Sequence, residues 1–291
     1  MPNLQLRRKD DLSSFRKIAI GTWQDAFDPS VYGSLELRMD EAMRYIAEFR
    51  EKTGRRLTVS HLMAKAAGAA LAECPDANAI LRFNRIYLRK RIGVFFQVVM
   101  TDEGEHKIDL SGATLYDVES KSLLEICDEF EEKVKKVRAR QDPALEKTRS
   151  SFRAIPFVFL NVFLKVLAFF QSTLNWNLSG LGIPNDPFGS MMITNIGTLG
   201  LDMAYVPLVP YSRVPILLAV GAVKEKAIAE GGVVKAAFTC MVNATFDHRV
   251  IDGFHAAVMS KALRRHLEHP YEAFGDVPSE KREAAGADVA E

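Results

Sequence analysis

Apolar and polar positions alternate in some segments of the chain and recur at helical spacing in others. Alternation over residues 32–39 predicts a strand. The segment that follows has helical spacing, with Asp40 predicted as its N-terminal cap and Gly54 as its end. A second helix, rich in small residues, is predicted from near Ser60 up to Pro75, which cannot continue it.

The rest of the chain adds further strands and helices. Strands are predicted over residues 85–91, 92–101, 191–200, 214–228 and 233–248. The last two of these are expected to pair through the Glu-Gly-Gly turn between them. Helices are predicted over residues 10–24, 118–140 and 253–269, the second with a solvated charged face and the third opened by Asp252. This interleaving predicts an α/β fold in which helices cover one face of a sheet.

Composition excludes several classes of protein. The 291 residues include 38 Lys plus Arg and 37 Asp plus Glu, so the net charge of +1 lacks the basic surplus of a nucleic-acid-binding protein. The three cysteines are widely spaced and odd in number, which predicts neither a metal site nor a disulfide framework. The N-terminal residues lack the apolar core of a signal peptide, and we therefore expect a cytoplasmic location.

Residues 154–172 form a segment that is apolar almost all round. Such a helix lies either inside protein or against lipid. Asn161 and Lys165 interrupt the run, which is also shorter than the about 20 apolar residues that a membrane span needs. We rank burial at a subunit interface or over a substrate channel first, an interfacial membrane contact second, and a true span last.

The segment FDHRVIDGFHAAVMS, residues 246–260, places charged residues where a buried strand meets a helix. His248 at the strand end is a candidate general base, because imidazole exchanges its proton near neutral pH. Asp252 follows four residues later, and Gly253 permits a tight turn or a close backbone approach. A purely structural alternative makes Asp252 a helix cap and His248 a core histidine bonded to backbone.

The string DHRVIDGFHAA resembles the H-x-x-x-D-G signature of two related families. These are the catalytic domain of the dihydrolipoamide acyltransferases of 2-oxo acid dehydrogenase complexes and chloramphenicol acetyltransferase. The segments MMITNIGTLG, PILLAVGAV and FRKIAIGTW are similar to further acyltransferase segments. The resemblance runs from about Leu12 to His269. It implies a single catalytic domain over residues 1–275, with an apolar insertion at about 150–188 and a disordered tail at 276–291.

The resemblance also implies an architecture and a mechanism. The fold would be a chloramphenicol acetyltransferase-like two-layer mixed sheet with helices on one face, assembled as a homotrimer or a multiple of trimers. Substrates would meet in a channel between subunits, without a covalent acyl-enzyme. His248 would be the general base, and the hydroxyl of Thr194 would stabilise the oxyanion. Asn195 matches the family pattern too, in a structural role.

Other residues would support the loop that carries the histidine. By resemblance, Asp252 pairs with an arginine from the N-terminal region, for which Arg16 is favoured over Arg8. His255 departs from the acyltransferase pattern and is expected to pack at the channel wall. The remaining histidines are expected on the surface or at helix ends: His61, His106, His266 and His269.

The substrates implied are an acyl-coenzyme A donor and a thiol, hydroxyl or amine acceptor. The multidomain enzymes of the family carry a lipoyl domain, and these 291 residues show none. A lipoyl group would therefore enter the reaction only on another protein chain. The alternative function is a non-catalytic trimeric scaffold or an acyl-coenzyme A sensor with the same fold.

Overall fold

The computed structural model describes residues 2–10, 29–101, 108–139 and 157–279. The strands are β1 (Leu6–Arg8), β2 (Ser30–Arg38), β3 (Ala79–Arg82), β4 (Arg85–Arg89), β5 (Gly93–Thr101), β6 (Ile108–Tyr116), β7 (Met191–Asn195), β8 (Ile216–Val220), β9 (Lys224–Glu230) and β10 (Val233–Asp247). The helices are α1 (Asp40–Thr53), α2 (Val59–Glu73), α3 (Leu123–Arg138), α4 (Phe157–Ala168), α5 (Gly253–Glu268) and α6 (Pro270–Phe274). The helix predicted over residues 10–24 lies outside the described residues except for Asp10. Of the tail predicted over residues 276–291 only 276–279 are described, and Val277 among them is buried in the main core.

Seven strands form one mixed sheet in the order β2-β10-β8-β7-β5-β6, and β9 pairs with the part of β10 that extends beyond β2. Strand β7 runs parallel to both β5 and β8, while the other neighbours are antiparallel. This confirms the mixed-sheet α/β fold class. Strands β1, β4 and β3 form a separate small sheet.

The two faces of the large sheet are covered differently. Helices α1, α2, α3 and α5 share one continuous core with alternate strand residues such as Met191 and Ile193. Four alanines of α2 are fully buried, and their small size lets neighbouring helices approach closely: Ala64, Ala66, Ala67 and Ala70. On the opposite face, Met192 and Leu217 pack with Val214 and the coil that precedes it. Helix α4 contacts the short turn Pro210–Ser212 of that coil.

The predicted strand over residues 214–228 is two strands in the structure. Strand β8 ends at Val220, and Gly221 then packs so tightly that a Cβ there would lie 2.1 Å from the carbonyl oxygen of Asp202. The chain stays alongside β10 here: Val220 aligns with Val242 and Lys224 with Thr239, so the ladder takes up one extra residue and continues as β9. The turn at Gly231 and Gly232 joins β9 to β10 as predicted, with positive φ at both glycines.

Helix starts differ from two of the predictions. Asp40 is the first residue of α1, and its carboxylate accepts from the backbone N–H of Phe238 and from Arg38 Nε, outside the helix. Helix α3 begins at Leu123, because Ser122 and Glu125 form a capping box there. The elements β1, β3, β6 and α6 were not predicted from the sequence.

Candidate functional site

The end of β10 is fixed by hydrogen bonds around Asp247. Its carbonyl oxygen accepts from the backbone N–H groups of Val250 and Ile251, both at 2.9 Å, which closes a tight turn. Its carboxylate accepts from Nε and Nη2 of Arg249 at 2.9 and 2.8 Å. Because this ion pair is largely buried, Arg249 serves as part of the turn.

His248 occupies the turn with one ring nitrogen fixed. Its backbone N–H donates to the carbonyl of Pro29 at 2.9 Å, and its Nδ1 lies 2.7 Å from the carbonyl oxygen of Ile251. A carbonyl oxygen only accepts, so Nδ1 carries the hydrogen and donates. In the neutral ring, Nε2 then holds the lone pair. The half-buried imidazole is thus oriented as a proton acceptor at Nε2.

Asp252 caps α5, as the sequence predicted. Its Oδ1 accepts from the backbone N–H groups of Phe254 at 3.0 Å and His255 at 3.2 Å. The Nδ1 of His255 lies 2.7 Å from the same oxygen. His255 therefore holds the carboxylate of Asp252. Gly253 has open space where a Cβ would lie, so neither crowding nor a positive φ requires glycine there in the isolated chain.

The arginine expected to hold Asp252 was Arg16 or Arg8. Arg16 lies outside the described residues, so its pairing stays a prediction. Arg8 lies in β1 of the small sheet, and its Nε is 2.6 Å from Oδ1 of Asp10. Both side chains of this ion pair are exposed, so the choice between Arg16 and Arg8 stays a prediction.

Thr194 and Asn195 end strand β7. Thr194 is half-buried and pairs in register with Ala219 of β8. Asn195 Nδ2 donates to the hydroxyl of Ser60 at 3.0 Å, and its Oδ1 accepts from the backbone N–H of Thr198 at 3.2 Å. These bonds tie the end of β7 to the start of α2, which is the kind of structural role expected for Asn195.

The sheet register separates Thr194 from His248 within one chain. Thr194 aligns with Ala219, and Ala219 aligns with Asn243 of β10. His248 lies five residues beyond Asn243, at the other end of the sheet. With about 3.4 Å per residue and about 4.8 Å between strands, the separation is about 17 Å along the strands and about 10 Å across them. The structure does not bring these two predicted site residues together within one chain.

His61 lies at a helix end, as one of its two expected positions, but its ring is buried. It lies near the start of α2, but its ring is inside the core, 3.7 Å from Cys127 Sγ and edge-on to Phe130. Burial, followed by the charges of Arg56 and Arg50, lowers the pKa of His61 to about 4. The Nε2 atom has no hydrogen-bond partner in the described structure. Burial also raises the pKa of Cys127 to about 12, so this pair is not a reactive thiolate and base.

Of the other histidines expected on the surface or at helix ends, the two that the structure describes lie at such positions. His266 lies in the last turn of α5, where its Nδ1 is 2.7 Å from the Ala262 carbonyl, and His269 is exposed just after the helix. His106 lies outside the described residues. All three cysteines are buried and free.

Comparisons with known proteins connect this geometry to a family. The family model described as 2-oxoacid dehydrogenases acyltransferase (catalytic domain) matches residues 7–153 and 187–275. The acetyltransferase component of the acetoin cleaving system of Bacillus subtilis (strain 168) is 23% identical over 220 residues, which are 76% of this chain and 44% of that protein. The corresponding component of the pyruvate dehydrogenase complex of this bacterium is 37% identical over 81 residues, which are 28% of this chain and 18% of that protein. The chain thus spans less than half the length of these curated relatives.

Solved structures share the fold. The dihydrolipoamide acetyltransferase of Azotobacter vinelandii superposes with a TM-score of 0.62 at 21% identity, covering 91% of this chain and 93% of that one. A probable dihydrolipoamide acetyltransferase of Listeria monocytogenes 4b F2365 gives a TM-score of 0.60 at 15% identity, covering 90% and 94%. Because the family model matches most of the chain on both sides of the apolar segment, this protein belongs to the 2-oxoacid dehydrogenase acyltransferase (catalytic domain) family.

Proposed function

We propose that this chain transfers an acyl group from a thioester, with acyl-coenzyme A as the donor, to a thiol, hydroxyl or amine acceptor. The observation that carries the proposal is the fixed ring of His248. Its Nδ1 is committed to the Ile251 carbonyl, which leaves Nε2 as a base at the end of β10. A thiol with a pKa of about 8.5 is mostly protonated at neutral pH, so the reaction needs such a base.

The proposed step involves no covalent acyl-enzyme. Nε2 of His248 takes the proton of the acceptor as its oxygen, sulfur or nitrogen attacks the thioester carbonyl. The tetrahedral intermediate then collapses, the bond from carbon to the sulfur of coenzyme A breaks, and the imidazolium returns its proton to the leaving thiolate. A positioned general base of this kind contributes about 10²–10⁴-fold in rate.

Thr194 is proposed as the donor to the oxyanion of that intermediate. A hydroxyl donor in this role contributes roughly 3–4 kcal/mol to lowering the barrier. Because His248 and Thr194 of one chain lie at opposite ends of the strands in the sheet, the proposed site combines His248 of one protomer with Thr194 of another. Head-to-tail contacts of this type close into rings. A homotrimer with one site at each contact fits this requirement.

The lipoyl group is a second proposed substrate. Both curated relatives are named as dihydrolipoyllysine-residue acetyltransferase components, and each is longer than the part that this chain matches. We propose that a lipoyl group reaches this site only on a separate protein, as a thiol acceptor. A cytoplasmic location remains part of the proposal.

A donor and acceptor screen tests the function. The protein is incubated with acyl-coenzyme A donors of increasing chain length and with thiol, hydroxyl and amine acceptors, and release of coenzyme A thiol is followed. Turnover that is lost in His248→Ala supports the proposal, and equal turnover in that variant refutes it. Tight binding of acetyl-coenzyme A without turnover by the wild-type protein would instead support the sensor.

A further inference from the structure

Helix α4 presents an apolar stripe to the outside of the chain. Phe159, Val162, Val166 and Phe169 lie three, four and three residues apart, which places them on one side of the helix and its continuation. Each is between 44% and 61% exposed. Large apolar side chains in a contiguous exposed row mark an interaction surface more often than a free surface. We call these four residues the α4 stripe.

The sequence that contains the stripe carries charge of one sign. Residues 147–185 contain no Asp or Glu, in a chain that has 37 of them, and they contain four bases, Lys147, Arg149, Arg153 and Lys165, of which Lys165 lies in the described residues. Lys165 is exposed beside Val166. The family model leaves residues 154–186 unmatched, so the stripe belongs to a segment that this family does not account for.

A strained turn adds a second apolar group flanked by bases. Phe83 and Asn84 join β3 to β4 with φ values of 49° and 57°. A bulky residue rarely adopts a positive φ, and Phe83 is nevertheless 60% exposed there. Arg82 and Arg85 flank it. Arg82 Nε donates to the carbonyl of Thr173 at 2.9 Å, so this tip adjoins the segment that continues α4.

The segment after α4 is held in place by the start of the chain. Asn175 Nδ2 donates to the Leu4 carbonyl at 2.6 Å, and the Asn3 backbone N–H donates to the Asn175 carbonyl at 3.0 Å. Trp176 then stacks with its ring centroid 5.0 Å from that of Phe170 and remains 54% exposed. The aromatic groups are thus preorganised at the surface.

We propose that the α4 stripe, with Trp176 and the Phe83 tip, docks on an anionic lipid surface. Exposed Phe and Trp side chains bordered by Lys and Arg, with no acid among them, are the composition of helices that lie in a membrane interface. Among the described helices none combines the length and apolar content needed to cross a bilayer. In this proposal the helix lies along the membrane surface, with Lys165 near the phosphates of the lipid headgroups.

Vesicle flotation tests the inference independently of catalysis. The wild-type protein is expected to float with vesicles that contain phosphatidylglycerol, to float much less with phosphatidylcholine alone, and to detach as salt is raised, because exposed charges are screened. The variants Phe159→Ser and Phe169→Ser should each weaken binding about tenfold, since each removes a buried aromatic contact with lipid. Lys165→Glu should weaken binding to the anionic vesicles alone.

The matched control is Val234→Ser, which removes a side chain that is 72% exposed in the β9–β10 hairpin. It should bind vesicles as the wild-type protein does. No flotation of the wild-type protein, or equal flotation of the stripe variants, would overturn the inference. A stripe variant that changes the sedimentation coefficient and leaves flotation unchanged would show that the stripe contacts a second copy instead. Turnover with soluble substrates should survive these substitutions, so a failure here is separable from a failure of the proposed function.

Discussion

Asp252 connects helix capping to the position of the catalytic candidate. One carboxylate oxygen receives two backbone N–H groups at the start of α5 and the Nδ1 of His255. Asp252 is the fourth residue after His248, and the carbonyl of Ile251, next to Asp252, fixes the His248 ring. A disturbance at the cap is therefore transmitted directly to the proposed base.

Replacing Asp252 should lower both stability and transfer. Asp252→Ala removes the cap and should lower the free energy of unfolding by about 1–2 kcal/mol, as measured by urea denaturation. Asp252→Asn retains an oxygen that can cap, so it should keep most of that stability. An Ala variant with the unfolding midpoint and turnover of the wild-type protein would show that the cap does not position the loop.

His61 should make the fold acid-sensitive. Its folded pKa is about 4, below the ordinary value of 6.5, so the unfolded chain binds its proton more readily. The stabilising effect is complete above pH 6.5 and is lost as the pH falls toward 4. Between pH 7 and pH 5 this one group should lower the free energy of unfolding by about 2 kcal/mol.

The variant His61→Gln isolates that effect. His61 Nδ1 lies 3.1 Å from the backbone nitrogen of Thr58 in a capping box, and glutamine is a normal partner at this position. The variant should keep the helix start and lose the titration. Urea unfolding at pH 7 and pH 5 should then give a smaller pH difference than in the wild-type protein. An unchanged difference would assign the acid sensitivity to other groups.

For individual residues, the sequence predicted positions correctly where a short local motif determined them. The string from Phe246 to Ser260 predicted the Asp252 cap and put His248 at the end of a strand, both of which the structure has. It could not reveal that His61 is buried, because α2 is packed on nearly all sides and has no clear polar face. It also assigned the cap of α1 to Asp40, whose carboxylate binds residues from β2 and β10 that are brought close only by folding.

At the scale of elements, the junction between the α4 segment and β7 depends on Gly189. Its φ is +61°, and a Cβ there would lie 2.6 Å from the carbonyl carbon and oxygen of Gly93. Gly189→Ala should therefore destabilise the fold by about 2 kcal/mol or more, through backbone strain and a clash with main chain.

The matched control for this substitution is Gly180→Ala, in the same segment. A Cβ at Gly180 meets nothing within 4 Å, and no positive φ is required there. Thermal unfolding should separate the two variants clearly. Equal melting temperatures would mean that the approach of Gly189 to Gly93 does not constrain the folded chain.

Element types were predicted better than their ends. Periodicity identified β2, α1, α2, β10 and α5, because each has one buried face or a clear boundary residue. It merged β8 and β9, because both lie along β10 and only one extra residue interrupts the ladder between them. The apolar composition predicted a helix at α4, but it left open what lies against the helix, since composition alone does not distinguish protein from lipid.

At the scale of the whole molecule, the family resemblance predicted the fold class but not the alignment of residues between neighbouring strands. Strand order and pairing come from contacts between distant segments, so the sequence could not show that His248 and Thr194 lie at opposite ends of the strands in the sheet. That separation makes assembly part of the proposed chemistry. The distance between the two residues therefore calls for more than one protomer at the proposed site, and the trimer is the assembly that we propose for it.

Mixing two inactive variants tests the shared site. His248→Ala and Thr194→Val are each expected to lose most activity. A contact is nevertheless intact when it combines His248 of the Thr194→Val protein with Thr194 of the His248→Ala protein. If the two variants are co-expressed and assemble at random through a head-to-tail interface, roughly a quarter of the contacts should be complete. No recovery in the mixed oligomers, with mixing confirmed by two affinity tags, would place both residues of a site in one chain or exclude one of them.

The proposed chemistry depends on the imidazole of His248 removing the proton of the acceptor. The transfer rate of His248→Gln tests this step, measured with the best donor and acceptor pair and with folding checked by circular dichroism. We expect a loss of about 10²–10⁴-fold with little change in donor binding, because a general base acts in the transition state. Transfer at the wild-type rate by a folded His248→Gln protein would contradict it.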